Sequence, residues 1–288
     1  MTAPADRNAP AGRNVSTDRN APADRNTSAD QAVPARTPRQ NEAGPPLGIL
    51  GVVFTALFLA GIVVAAVVAG GEFFPSPFGS PDVILAYFHD HQDAVRVSAF
   101  LQFAASVPMA IYAATVSARL RNLGIRAPGA TIGLVGGALA AVMLTLSALL
   151  CWVLSRPEVL AEPALVRALQ DLAFVTGGTG HVVFLGLLVA GVAVPGWLAG
   201  LLPRPFALAG LVVALVAELG TLTLLVPGTA VLLPAGRFTA LAWLVAAGFL
   251  LPRTRANRSG TRPASAGSPV ASPVGSPAAS PTSKETTL

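Results

Sequence analysis

Of the 288 residues, 53% are hydrophobic and only 11% are charged, against about 25% charged in an ordinary soluble domain, so the composition argues for a membrane protein. The formal net charge of +5 would suit nucleic acid. The basic residues, however, sit in tails and short connections between apolar runs, and no basic helix interleaved with aromatics occurs, so no nucleic-acid partner is expected. One cysteine, Cys151, excludes an intrachain disulfide framework; near the end of an apolar run it reads as a small buried thiol.

Residues 1–46 repeat a six-residue unit, Ala3-Pro-Ala-Asp-Arg-Asn8, in further copies that end at Asn14, Asn20 and Asn26. Pro, Ala and balanced Asp/Arg cannot build a core, so this tail is expected to be disordered. The units also lack the large apolar residue that a β-helix needs. A polar tail ahead of an apolar run too long for an h-region argues against a cleavable signal peptide.

The first predicted span is 47–70, without a charge. Residues 71–94 follow as a loop broken by Pro75, Pro77 and Pro81, with a short interfacial helix running from an Asp82 N-cap to Gln92. His89 and His91 flank Asp90 and are the metal candidates of the chain. On a helix a His-x-His pair splays its rings apart, so a solvated loop end is the preferred reading and no metal is assigned. The second span, 95–117, opens on Arg96, whose stem lies along lipid while its head reaches the headgroups. Ser98, Gln102 and Ser106 share one face of it, and Pro108 should kink it.

Arg119, Arg121 and Arg126 mark the next connection as cytoplasmic. In the third span, 130–154, Gly129, Gly133 and Gly137 form a small-residue ridge for helix packing, within one protomer or between protomers of a homo-oligomer. Residues 158–171 read as a separate interfacial helix. The fourth span, 172–194, carries Thr176-Gly-Gly-Thr-Gly-His181. Three Gly in four residues either unwind the helix beside a buried His or let it pack on Gly133 and Gly137, the second being preferred. The fifth and sixth spans are 206–226 and 231–251. Residues 252–288 form a second disordered tail, with Ser-Pro at Ser268, Ser272, Ser276 and Ser280.

The fold expected is therefore all-α: a polytopic bundle of six transmembrane helices in the lipid bilayer of the cell membrane, between two disordered tails. All but four of the nineteen Lys and Arg lie in the tails and the even-numbered connections; the exceptions are Arg96, Arg156, Arg167 and Arg237. That bias places both termini in the cytoplasm.

His181 and Glu218 are the candidate centre. On adjacent antiparallel spans both would lie roughly 12–14 Å below the outer surface, within reach of each other. A central charge costs about 2.5–3.5 kcal/mol to insert, which the apolar residues of 206–226 offset, so insertion tolerates Glu218 without explaining it. The carboxyl is either a proton or cation site or a neutral hydrogen-bonding group. Arg237, at the start of the sixth span, is a candidate partner for it. With Gln102 and Arg96 these residues make one half of the bundle polar and suggest an outward-facing cavity rather than a through-pore.

No His-Glu-x-x-His, Gly-x-Ser-x-Gly or Walker sequence occurs, so no catalytic residue and no cofactor are assigned. A structural or regulatory membrane protein is the first reading. A small proton- or cation-linked transporter using Glu218 and His181 is the second, and the small-molecule or cation ligand is not named by the sequence. The stretches Val95-Arg-Val-Ser-Ala-Phe100, Arg119-Leu-Arg-Asn-Leu-Gly124 and Phe174-Val-Thr-Gly-Gly-Thr-Gly-His181 resemble those of uncharacterised multi-pass proteins of actinobacteria. The resemblance implies six helices and a cell-membrane location over residues 47–255, and no activity.

Overall fold

A computed structural model describes residues 45–253. The hexapeptide repeat and the Ser-Pro tail lie outside the described residues. Among those described there is no strand. Six helical segments are long and apolar enough to cross a bilayer: Leu47–Val68, Gln92–Asn122, Gly129–Leu154, Pro163–Leu198, Arg204–Leu224 and Pro227–Leu250. This is the make-up of a multi-pass membrane protein. Large apolar side chains such as Val63, Phe100, Val142, Leu215 and Phe249 point outward along these segments, which a bilayer accepts and water does not.

The spans begin with α1 (Leu47–Val68), α3 (Gln92–Asn122) and α4 (Gly129–Leu154). Between α1 and α3 lies the short α2 (Pro81–Asp90), capped at Ser80 with Pro81 in its first turn rather than at Asp82. After α4 come the single turn α5 (Pro157–Leu160) and α6 (Pro163–Phe174). The remaining spans are α7 (His181–Leu198), α8 (Arg204–Leu219) and α9 (Leu232–Leu250). The six main helices close a ring: α1 lies beside α3 and α9, α4 beside α3 and α7, and α8 beside α7 and α9. α7 also reaches α9 and α3, so it leans inward.

The expected interfacial helix at 158–171 is not separate from the fourth span. α6 runs without a break into α7 through a π-helical turn, Val175–Gly180, giving one segment of 36 residues. The reason is that a bilayer punishes unpaired backbone groups. A π turn lets the chain change face while keeping its amides bonded. Gly177, Gly178 and Gly180 make the wider turn easy, so the chain is rewound and not unwound.

α3 is also longer than expected, 31 residues or about 46 Å, and it continues helically through Pro108. Its Ser98 and Ser106 are buried, and the Thr145 hydroxyl donates to Ser106 Oγ at 2.8 Å, so that face looks at protein.

Glycines set the α4–α7 spacing. A Cβ on Gly191 would collide with the Gly133 backbone, one on Gly129 would meet Pro195 at 3.2 Å, and one on Gly136 would meet the Leu188 amide at 2.7 Å. Gly137 faces Ala113 and Leu188. The ridge is thus spent inside the protomer, antiparallel against α7. It does not meet Gly177 to Gly180, which instead face Ser147, Leu233 and Met143.

At the ring's other closure Gly48 packs on Phe249 and Gly248, which brings the first and last described turns to one end. That terminal half is filled by Phe54, Met109, Tyr112, Leu185, Leu188 and Leu244. Inside it the Tyr112 hydroxyl donates to the Leu244 carbonyl at 2.7 Å.

Gly191→Ala should destabilise the bundle by about 1–3 kcal/mol, because the helices must part to admit the methyl group. Gly228→Ala, which enters open space, should change stability by less than about 0.5 kcal/mol. Detergent-denaturation midpoints of the two variants check this pair.

Candidate functional site

The inner face of α9 carries Leu233, Gly236, Ala240 and Leu244. Arg237 lies one turn beyond Leu233 on that face, about 8 Å into α9. As a whole residue Arg237 is half-buried, and its guanidinium donates through Nη2 to the carbonyl of Gly177, in the π turn. Its Cζ sits 5.2 Å from the centroid of the Phe58 ring, a cation–π contact from α1. Nε is buried and has no partner among the described residues. Among the described residues no carboxylate lies within ion-pair distance of Arg237. A charge at a helix centre costs about 2.5–3.5 kcal/mol to insert; the carbonyl and the ring each offset part of such a cost.

Phe58 also stacks on His181, ring centroids 6.3 Å apart and 17° from parallel. His181 is fully buried, and its Nδ1 lies 2.9 Å from the Ala140 carbonyl of α4. A carbonyl only accepts, so the ring donates from Nδ1. Nε2 has no partner among the described residues. His181 therefore ties α7 to α4 and α1.

The expected pairing of Glu218 is not what the structure holds. Glu218 is half-buried in the last turn of α8, beside the inward stripe of Ala207, Gly210, Ala214 and Ala217. Among the described residues its side chain makes no hydrogen bond or ion pair with His181, Arg237 or any other group. Arg237 is held by Gly177 and Phe58, and His181 by Ala140, so neither turns toward it. Arg96 also stands apart: it pairs with Asp93 at 3.0 Å and donates to the Ser155 carbonyl at 3.5 Å, tying α3 to the end of α4. His89 and His91 diverge. His89 lies 3.8 Å from its neighbour Asp90, while His91 donates to Glu72 at 3.2 Å. No group of three metal-ligating side chains forms among the described residues.

Arg237 and Gln102 do come together, on the wall of a cavity of about 380 Å³ at the α2 end of the ring. Ser76, Ser147, Cys151 and Gln170 add to its polar lining, and Phe74, Phe174, Leu233 and Phe238 are among its apolar walls. Cys151, read as a small buried thiol, is half-buried as a residue and lines this cavity. A smaller cavity of about 290 Å³ shares Phe74 and Gln102 and adds Glu72 and Tyr87. Burial first, then the Glu72 charge, raises the Tyr87 phenol above its ordinary value, which keeps it a neutral group.

The segment between α1 and α2 supplies one wall. Gly70 and Gly71, at φ 69° and 102°, reverse the chain after α1. Phe74, Pro75, Ser76 and Pro77 then lie against the cavity. α6 holds them there: Arg167 Nη2 donates to Pro77 O at 2.6 Å, Nη1 to Gly79 O at 3.4 Å, and Gln170 Nε2 to Pro75 O at 3.4 Å.

Gln170, Ser147 and this strap are the elements that reading the chain missed. For Gln170 a signal existed: Val166, Gln170 and Ala173 recur at helical spacing and all three are buried. Nothing in the sequence places residues 74–77 on the bundle.

No family model, no curated protein and no solved structure matches the chain.

Arg167→Ala should release the strap alone. Amide exchange at Ser76 and at residues 78–80 should speed up by about tenfold or more, the loss of roughly 1.4 kcal/mol of local stability, while exchange within α7 stays unchanged.

Proposed function

We propose a ligand-binding protein of the cell membrane, structural or regulatory in role and not a catalyst, built around the cavity at Arg237. The observation that carries this reading is the bundle's asymmetry. One half encloses a cavity with a cation on its wall, and the other is filled by the apolar core around Tyr112 and Leu188. A cavity with a packed floor can hold a molecule and offers no path through.

Charge supports an outward-facing cavity. Every Asp and Glu among the described residues lies toward the α2 end, whereas the connections at the terminal end carry only Arg119, Arg121, Arg126, Arg204 and Arg253. By the positive-inside rule the terminal end is cytoplasmic, and both termini with it. Membership of the actinobacterial multi-pass group is part of the same proposal and rests on the three stretches quoted above.

A proton- or cation-linked carrier would need Glu218 and His181 on one path. Glu218 does not line either cavity, His181 is enclosed by Ala140 and Phe58, and Arg237 on the same Phe58 ring repels a cation. The test is proton and cation flux in proteoliposomes, with carbodiimide labelling of Glu218 run in parallel. The expected result is flux no greater than in protein-free vesicles, and labelling unaltered by His181→Ala. Flux abolished by both Glu218→Gln and His181→Ala would establish the carrier instead.

A further inference from the structure

The cavity has a chemical preference that its outline alone does not convey. Resting on the binding-protein reading, we propose that it takes a small amphiphilic anion, with a carboxylate or phosphate on the Arg237 guanidinium and an apolar body against Phe74, Phe174, Leu233 and Phe238.

Arg237 has donors to spare. Guanidinium carries five N–H groups in a planar fork suited to carboxylate and phosphate. Among the described residues one goes to Gly177 O, and Nε is buried without a partner. Among the described residues no Asp or Glu lines the cavity, so none of them neutralises the cation or competes for it there. The second charged cavity nearby is different, because its Glu72 is already engaged by His91.

The other polar groups on the wall fit a ligand that is more than an ion. Gln170 Oε1 is buried with no partner among the described residues and can accept from a hydroxyl on the ligand. The remaining wall is largely aromatic and aliphatic. At about 380 Å³ the space holds about a dozen water-sized groups and falls in the roughly 300–1,000 Å³ range of small-molecule sites. A short-chain carboxylic acid fits it whole. A phospholipid would place only its headgroup there. Both share the same chemistry, an anion joined to an apolar stem.

Cys151 makes this testable without engineering a probe site, since it is the chain's one cysteine and lines the same cavity. Purified protein in phosphatidylcholine nanodiscs is treated with an anionic sulfonatoethyl or a cationic trimethylammonioethyl methanethiosulfonate. Each transfers its alkylthio group to the Cys151 thiolate to form a disulfide, with methanesulfinate leaving. The anionic-to-cationic rate ratio, normalised to that of a free thiol, is expected to exceed tenfold. In Arg237→Gln it should fall to about one.

Protection of the native protein provides a reading that does not depend on that variant folding. Octanoate should slow labelling while octyltrimethylammonium does not, if the ligand is a free acid. Replacing phosphatidylcholine by phosphatidylglycerol should slow it if the ligand is a lipid headgroup. Equal normalised rates for the two reagents, or a charge preference with no protection by octanoate or phosphatidylglycerol, would overturn the anion site and leave the binding cavity standing. Failure of both reagents to label Cys151 until the protein is denatured would overturn both, because the cavity would then be closed.

Discussion

A guanidinium inside a membrane-spanning helix must be answered by the protein, since lipid offers it nothing. In this bundle the answer to Arg237 comes from the Gly177 carbonyl and the Phe58 ring. Both depend on features elsewhere. The carbonyl belongs to a π turn, and the turn fits because a side chain on Gly177 would run into Ser147. The ring is fixed by stacking on His181, which is fixed in turn by Ala140. Four helices and the π turn thus hold one cation in place at the edge of a cavity.

The rest of the architecture keeps that cavity at one end. Without a hydrophobic force between helices in lipid, close packing has to supply the cohesion. It does so where Gly129, Gly133 and Gly136 meet Pro195, Gly191 and Leu188. Tyr112 and Leu244 close the axis nearby. Toward the α2 end the ring is looser, and its interior is walled by a strap that Arg167 and Gln170 pin in place. Rigidity at one end and space at the other come from the same distribution of small and large residues.

The six spans were legible because a continuous apolar run of span length is rare outside a membrane. The polarity of one half was legible from the same runs, as was the presence of Gln102 and Arg237 in that half. What failed was pairing. Depth along two helices said that His181 and Glu218 could meet, but contact also depends on rotation. The π turn re-phases α7 relative to α6, so counting residues from Leu172 does not say which way His181 points. Glu218 likewise sits one residue off the inward stripe that ends at Ala217. Gly133 and Gly177 were matched for size, whereas the antiparallel register of α4 and α7 pairs Gly133 with Gly191. The strap at residues 74–77 was invisible because its bonds are made by its own carbonyls, which every sequence has.

The measurement that bears most directly on this account is a dipolar-coupling distance, by solid-state NMR in bilayers, between the ¹⁵N-labelled Arg237 guanidinium and the ¹³C carbonyl of Gly177. A second sample carries ¹³C at the Glu218 carboxyl. The account predicts a coupling to Gly177 at hydrogen-bonding range and none of that size to Glu218. A short contact to Glu218, with Gly177 distant, would contradict it and return the charged pair to the centre of the molecule.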